Sequence, residues 1–302
     1  MNDNERMLIR YVCEGNLKKA RLQAEESLKK ITAKKDERFK ENMLRLLAEK
    51  GNFIEVPYNL QNLLIAEDMK RFPEERFILR EDEQAIASRL LAIYKAAGKL
   101  SQLGIPYMPS LILHGESGCG KTMLARYIAH VTDLPFIYVK FSNLVSSLLG
   151  KTQENLGLIF QYAKSTPCVL CLDEIDAIGM ARGQKDDVGE MNRVVIALMQ
   201  ELDRLPQGNS IIIGTTNRMD RLDPALKRRF SLQHEVKVLS ENDVKCLAEK
   251  FLSSISMLPE DGIEAWIKER LPGDNIPASK VINECTEFAV QTIIKSNGEE
   301  YI

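Results

Sequence analysis

The stretch GESGCGKT, residues 115–122, lies between the apolar run LILH and the helix-patterned MLARYIAHV. Its Gly115, Gly120, Lys121 and Thr122 fit the spacing G-x-x-x-x-G-K-[ST]. With its flanks it reads strand, loop, helix, the context in which such a loop can cradle phosphate. Glycines let successive backbone N–H groups converge on phosphate oxygens, and the amino terminus of the following helix adds partial positive charge. The expected cradle is Gly115, Glu116, Ser117, Gly118, Cys119, Gly120, Lys121, Thr122 and Met123. Lys121 is placed to reach the β- and γ-phosphates of a nucleotide, and the Thr122 hydroxyl to bind Mg²⁺. Cys119 reads as a small filler in this loop.

Outward from the loop, short apolar runs alternate with helical patterns: SLILHG at 110–115, FIYVKF at 136–141, VLCLDE at 169–174, SIIIGTT at 210–216 and EVKV at 235–238. Strands that are apolar throughout and separated by helices predict an α/β fold, a parallel sheet covered on both faces. The run VLCLDE ends in Asp173 and Glu174. A carboxylate at the tip of an apolar strand needs a partner, and Mg²⁺ on the nucleotide supplies one for Asp173. Glu174 then faces the same site and can polarise an attacking water. Asn217, at the end of SIIIGTTN, is expected beside the strand ending in Asp173, where its amide can hold that water or contact the γ-phosphate. Cys168 and Cys171 form a C-x-x-C inside an apolar run and read as buried strand residues.

The 302 residues are 44% hydrophobic and 28% charged with a net charge of −2, the mixture of an ordinary globular protein. That balance, without a basic–aromatic stripe, argues against a nucleic-acid partner. Six scattered cysteines do not make a disulfide framework, and the chain shows neither a signal-peptide stretch nor an apolar run of membrane-spanning length. A cytoplasmic location is expected. Residues 1–75 read as a mostly helical segment, with Leu17, Ala20, Ala24, Leu28 and Ile31 along one face. Its first 50 residues carry 13 Lys/Arg against 9 Asp/Glu. Residues 76–240 form the α/β core. Residues 241–302 return to helix, with Val244, Leu247, Phe251, Leu252 and Ile255 on one face and Val281, Ile282, Cys285 and Phe288 on another.

Four blocks in order, GESGCGKT, VLCLDEIDAI, the ELD of ALMQELDRL, and IIIGTTNRMDRLDPALKRRF, resemble the ATPase core of the AAA family within the AAA+ superfamily of P-loop NTPases. The resemblance covers roughly 200 residues with the helical lid included, and leaves residues 1–75 outside. It implies an ATPase that hydrolyses Mg-ATP, commonly as a six-membered ring, with nucleotide at the subunit interfaces. Arg228 and Arg229 match the family's arginine fingers, which reach a neighbouring site, and KRRF resembles the short form of the katanin and spastin branch. Leu148, Leu149 and Gly150 match the substrate-gripping pore loop, with leucine where the family has an aromatic. Lys280, in NIPASKV, stands near the position of a lid arginine. The resemblance implies remodelling, extraction or unfolding of a protein partner recruited by residues 1–75. The second reading is an ATP-gated switch or scaffold that regulates an effector such as a protease or nuclease.

Overall fold

The central strands are apolar at nearly every position because the sheet is covered on both faces. The computed structural model describes residues 3–13, 17–31, 36–49, 56–105, 107–140, 151–177, 188–205 and 210–296. It begins with α1 (Asp3–Cys13), α2 (Leu17–Lys29) and α3 (Glu37–Glu49), where α1 packs on α2 and α2 on α3. Then come β1 (Ile65–Glu67), α4 (Glu81–Gln102), β2 (Ser110–His114), α5 (Lys121–Thr132), β3 (Phe136–Lys140), α6 (Thr152–Ser165), β4 (Val169–Asp173), α7 (Val188–Arg204) and β5 (Ile211–Thr216). The chain continues with α8 (Pro224–Lys227), β6 (Leu232–Glu235), α9 (Glu241–Ser254), α10 (Ile263–Arg270) and α11 (Ala278–Ser296).

The sheet order is β1-β3-β4-β5-β2-β6, with only β1 antiparallel to its neighbour. Two successive connections carry the chain from β3 through β4 to β5, back toward β2, and the next places β6 on the far side of β2. The carboxyl end of β2 therefore lies where the connections diverge, the place where open α/β sheets hold ligands.

Strand parity builds both cores. Leu111, Leu113, Phe136, Val169, Cys171, Ile211 and Ile213 face Leu124, Ala125, Ile128 and Ala129 of α5 and Leu90 of α4. The alternate residues Ile112, Ile137, Leu170, Leu172 and Ile212 face Leu156, Ile159 and Phe160 of α6 and Leu198 and Leu202 of α7. Each such side chain, fully withdrawn from water, contributes about 1.5–3 kcal/mol. Truncating Ile212, with no exposed surface, to alanine costs about 2–5 kcal/mol through lost transfer and a cavity. Cys168 and Cys171 are both buried, as their apolar surroundings predict, Cys171 within β4 and Cys168 one residue before it.

Three elements depart from the sequence reading. The last strand occupies Leu232–Glu235, not 235–238. It is an edge strand paired only with β2, so its burial alternates and LQHE lacks the apolar run that marks a central strand. Within residues 56–76 the chain forms three 3₁₀ turns and β1 instead of continuing as α-helix, and it places Leu60, Leu64 and Met69 in the two cores. Ile255 ends α9 as its cap and is 38% exposed, while the four residues predicted to share its face are buried.

The three C-terminal helices enclose a core of their own around Leu247, Phe251, Trp266, Val281 and Cys285. Ser240 caps α9 reciprocally with Asp243, which stops the strand-side backbone and starts the helix. Leu239 and Ile276 exchange backbone hydrogen bonds of 2.9 and 3.3 Å, so the approach to α9 is clasped to the turn before α11.

Candidate active site

The loop after β2 turns on glycine. Gly115 has φ +144° and Gly118 φ +78°. A Cβ on Gly115 would lie 2.2 Å from the Val236 carbonyl oxygen, so side chains are excluded there by backbone. Gly118 lies against α11: its carbonyl accepts from the Ser279 N–H at 3.0 Å, and a Cβ there would lie 2.2 Å from Ser279 Oγ. Lys121 is 92% withdrawn from solvent, at 8% exposure, and its ammonium donates to the carbonyls of Gly115 (3.0 Å) and Glu116 (2.7 Å). The cation is thereby folded into its own loop. Cys119 is buried beside it, and burial holds the thiol above its usual range although Lys121 pulls the other way.

Thr122, in the first turn of α5, meets the end of β4, its hydroxyl donating to Asp173 Oδ1 at 3.2 Å. The same oxygen accepts from Thr215 Oγ, and the other carboxylate oxygen accepts from the Tyr138 phenol at 2.7 Å. Parity explains the convergence. Tyr138 lies two residues beyond Phe136, Asp173 two beyond Cys171 and Thr215 two beyond Ile213, so all three point to the sheet face that α5 covers. Burial first, and then the Asp173 carboxylate, push the phenol far above its ordinary value, so it remains a donor. A hydroxyl and a carboxylate oxygen in this arrangement are the hard-oxygen donors that suit Mg²⁺.

Glu174 follows with φ +56°, an uncommon conformation for a side chain with a Cβ. Thr215 secures that turn: its hydroxyl accepts from the Glu174 N–H at 3.2 Å, and its carbonyl accepts from the Ile175 N–H at 3.0 Å. Asn217 is exposed one residue beyond β5, which pairs with β4 as the sequence reading requires. Glu116 and Ser117 are exposed at the loop tip, and Met123 is half-buried.

The arginines lie elsewhere. Asp223 caps α8 through the N–H groups of Ala225 (2.6 Å) and Leu226 (3.3 Å), with Pro224 preset for the first turn. This short helix presents Arg228, exposed, with its Nε on the Pro224 carbonyl. Arg229 forks onto Asp203 of α7, with Nε 3.1 Å from Oδ1, and also donates to the Ala225 carbonyl at 2.9 Å. Lys280 is exposed at the start of α11, and Ser279 makes the contact to the loop. Leu148, Leu149 and Gly150 lie outside the described residues.

A cleft of about 440 Å³ opens beside the loop, lined among others by Arg80, Glu116, Val236, Lys237, Ser240 and Asn275. Its wall is braced by Arg80, which pairs with Glu83 and donates to the carbonyls of Lys237 (3.0 Å) and Val238 (3.3 Å). Sequence reading missed Tyr138, Thr215 and Arg80, and gave Asp203 of the ELD block no role of its own. For the first two, side-chain parity along the runs they occupy is the signal that finds them.

A glycine-rich turn at a sheet switch point, a lysine within it and a hydroxyl–carboxylate pair behind it define a P-loop nucleotide-binding core. Residues 111–238 match the model of the ATPase family associated with various cellular activities (AAA). Over 218 residues it is 27% identical to a putative 26S proteasome regulatory subunit homolog of Methanothermobacter thermautotrophicus, covering 70% of this chain and 58% of that protein. It is 42% identical over 121 residues to the peroxisomal ATPase PEX6 of Rattus norvegicus, covering 39% of this chain and 12% of that one. An uncharacterized AAA family ATPase, y4kL, of Sinorhizobium fredii is 36% identical over 141 residues, or 47% and 42% of the two chains. The chain thus spans less than two thirds of each of these relatives. No helix among the described residues is long and apolar enough to cross a membrane.

Proposed function

We propose that this chain hydrolyses Mg-ATP and works as a ring-forming motor that remodels or extracts a protein partner. The observation that carries the reading is the convergence of Lys121, Thr122 and Asp173 at the glycine-rich turn, with Glu174 the next residue after Asp173. Thr122 and Asp173 would hold magnesium, which when bound lowers the charge on the β- and γ-phosphates. Lys121 exchanges the loop carbonyls for phosphate oxygens, while the cleft beside Glu116 gives the nucleoside end room between the core and the helices after residue 240. Glu174 polarises the attacking water as general base, and Asn217 orients it.

Arg228 and Arg229 serve the neighbouring subunit's site. Arg229 is held at home by a partly exposed pair with Asp203, at 31% and 55% exposure, and by its hydrogen bond to the Ala225 carbonyl. Such a pair is worth at most about 1 kcal/mol, little enough to surrender to a neighbour's phosphates. Residues 241–302 act as the lid, linked to the loop through Gly118 and Ser279. Helices α1–α3 recruit the partner, and the pairing of β1 with β3 supports a core that begins near Leu60. Relatives named as a proteasome regulatory subunit homolog and as PEX6 fit work on protein partners.

The test is ATPase rate against protein concentration for wild type, Glu174→Gln, Arg229→Ala and a mixture of the two variants. A specific activity that rises with concentration, with partial recovery in the mixture, supports shared sites. Turnover unaffected by Arg229→Ala at every concentration would remove the finger role and the ring motor with it.

A further inference from the structure

Asp173 is gripped by more groups than its metal role uses. Thr122 belongs to the proposed magnesium site, but Tyr138 and Thr215 have no part in that reading. They hold opposite oxygens of one carboxylate, the phenol on Oδ2 at 2.7 Å and the threonine hydroxyl on Oδ1. They come from the strands on either side of β4, so the carboxylate is fixed across the sheet. Tyr138 is itself packed among the residues under α5 and Thr215 is 1% exposed, so neither hydroxyl is free to wander. Thr215 has a second task, accepting the N–H of Glu174 where the backbone turns left-handed.

We propose that Tyr138 and Thr215 are positioning residues for the metal step. They set the Asp173 carboxylate so that it faces Thr122, and Thr215 also ties the Glu174 turn to that setting. One strand-end threonine thereby couples the group that holds the metal to the group that activates water. The inference rests on the loop being a magnesium–nucleotide site. It has a definite sign. Hydrogen bonds donated to a carboxylate withdraw charge from it, so if charge alone mattered, removing the phenol would tighten magnesium binding. If orientation matters, removing it weakens binding.

The test uses the full chain with a fluorescent ADP, titrated with Mg²⁺ and separately in EDTA, for wild type, Tyr138→Phe, Thr215→Val and Thr215→Ser. In EDTA all four should bind ADP alike. The Mg²⁺ concentration for half-maximal tightening should rise by about tenfold in Tyr138→Phe and Thr215→Val and stay near wild type in Thr215→Ser, in keeping with groups that orient metal ligands. At saturating Mg²⁺, ATP turnover should recover in Tyr138→Phe but stay low in Thr215→Val, which has also lost the Glu174 anchor. A magnesium dependence in Tyr138→Phe that is unchanged or tighter overturns the proposal. Should Thr215→Val fail to melt cooperatively, Tyr138→Phe and Thr215→Ser still decide it. A wild-type chain that binds no ADP at any Mg²⁺ concentration sinks the nucleotide reading itself, a different failure.

Discussion

Replacing Gly115 by alanine should destabilise the protein far more than the same change at Gly120, five residues on in the same loop. Both glycines have positive φ, +144° and +108°, so both substitutions carry backbone strain, of order 1–3 kcal/mol. Their surroundings differ. A Cβ at Gly120 meets nothing within 4 Å, whereas at Gly115 it lies 2.2 Å from the Val236 carbonyl oxygen and 3.2 Å from its carbon. Carbon–oxygen contacts normally stand at about 3.3 Å or more, so the overlap is about 1 Å. The obstacle is backbone, and it cannot easily retreat, because the Val236 N–H donates to the His114 carbonyl at 2.7 Å. Relief costs that hydrogen bond or a shift of the segment that leads to α9, adding about 1–3 kcal/mol of overpacking. The expected penalties are about 1–3 kcal/mol for Gly120→Ala and about 2–6 kcal/mol for Gly115→Ala, the latter the sum of strain and overlap. Urea denaturation followed by circular dichroism, without nucleotide, measures both. Equal penalties would refute the close approach of the loop to Val236.

Glu83→Ala should lower stability by about 2–4 kcal/mol, since Glu83 is 3% exposed and its loss leaves Arg80 partly buried without its carboxylate; an unchanged melting temperature would contradict this. Burial keeps His234 below its ordinary value, with Arg80 and His114 acting in the same sense and Asp82 and Glu83 opposing. The unfolded chain therefore takes up the proton first, so this group's contribution is fully present above about pH 6.5 and declines as the pH falls below it. Melting curves from pH 7.5 to 5.5 should show wild type losing more stability than His234→Phe, and parallel curves would count against it. Native thiol titration should find Cys13 and Cys246 reactive while Cys119, Cys168, Cys171 and Cys285 stay silent until unfolding. Burial pushes Cys168 up to about 11 and Cys285 up to about 12, which keeps both as thiols.

The parallel strands were legible because a strand buried on two faces writes an uninterrupted apolar run, as in Ile211–Ile213 and Val169–Leu172. Edge strands write no such run. Leu232–Glu235 has one neighbour and alternates, and Ile65–Glu67 is only three residues long, so apolar-run reading displaced the first and passed over the second. The loop and the strand-end acid were legible because their chemistry restricts residue types: glycine where a Cβ meets Val236, and a carboxylate where Thr122, Tyr138 and Thr215 donate to one strand tip. Tyr138 and Thr215 escaped notice because aromatic and β-branched residues are ordinary in strands. Only the pairing of β3, β4 and β5 brings their hydroxyls to one carboxylate. Arg229 was legible as a basic residue in a recognisable block, but its bond to Asp203 joins residues 26 apart and follows from how α7 and α8 meet.

The central claim is hydrolysis at this loop with Glu174 activating the water, and the most direct test pairs ATP binding with ATP turnover in wild type and Glu174→Gln. The account predicts that the variant still binds Mg-ATP while its turnover falls by about a hundredfold or more, the share of a general base. Undiminished turnover in Glu174→Gln, or a wild-type chain that binds no ATP, would contradict it.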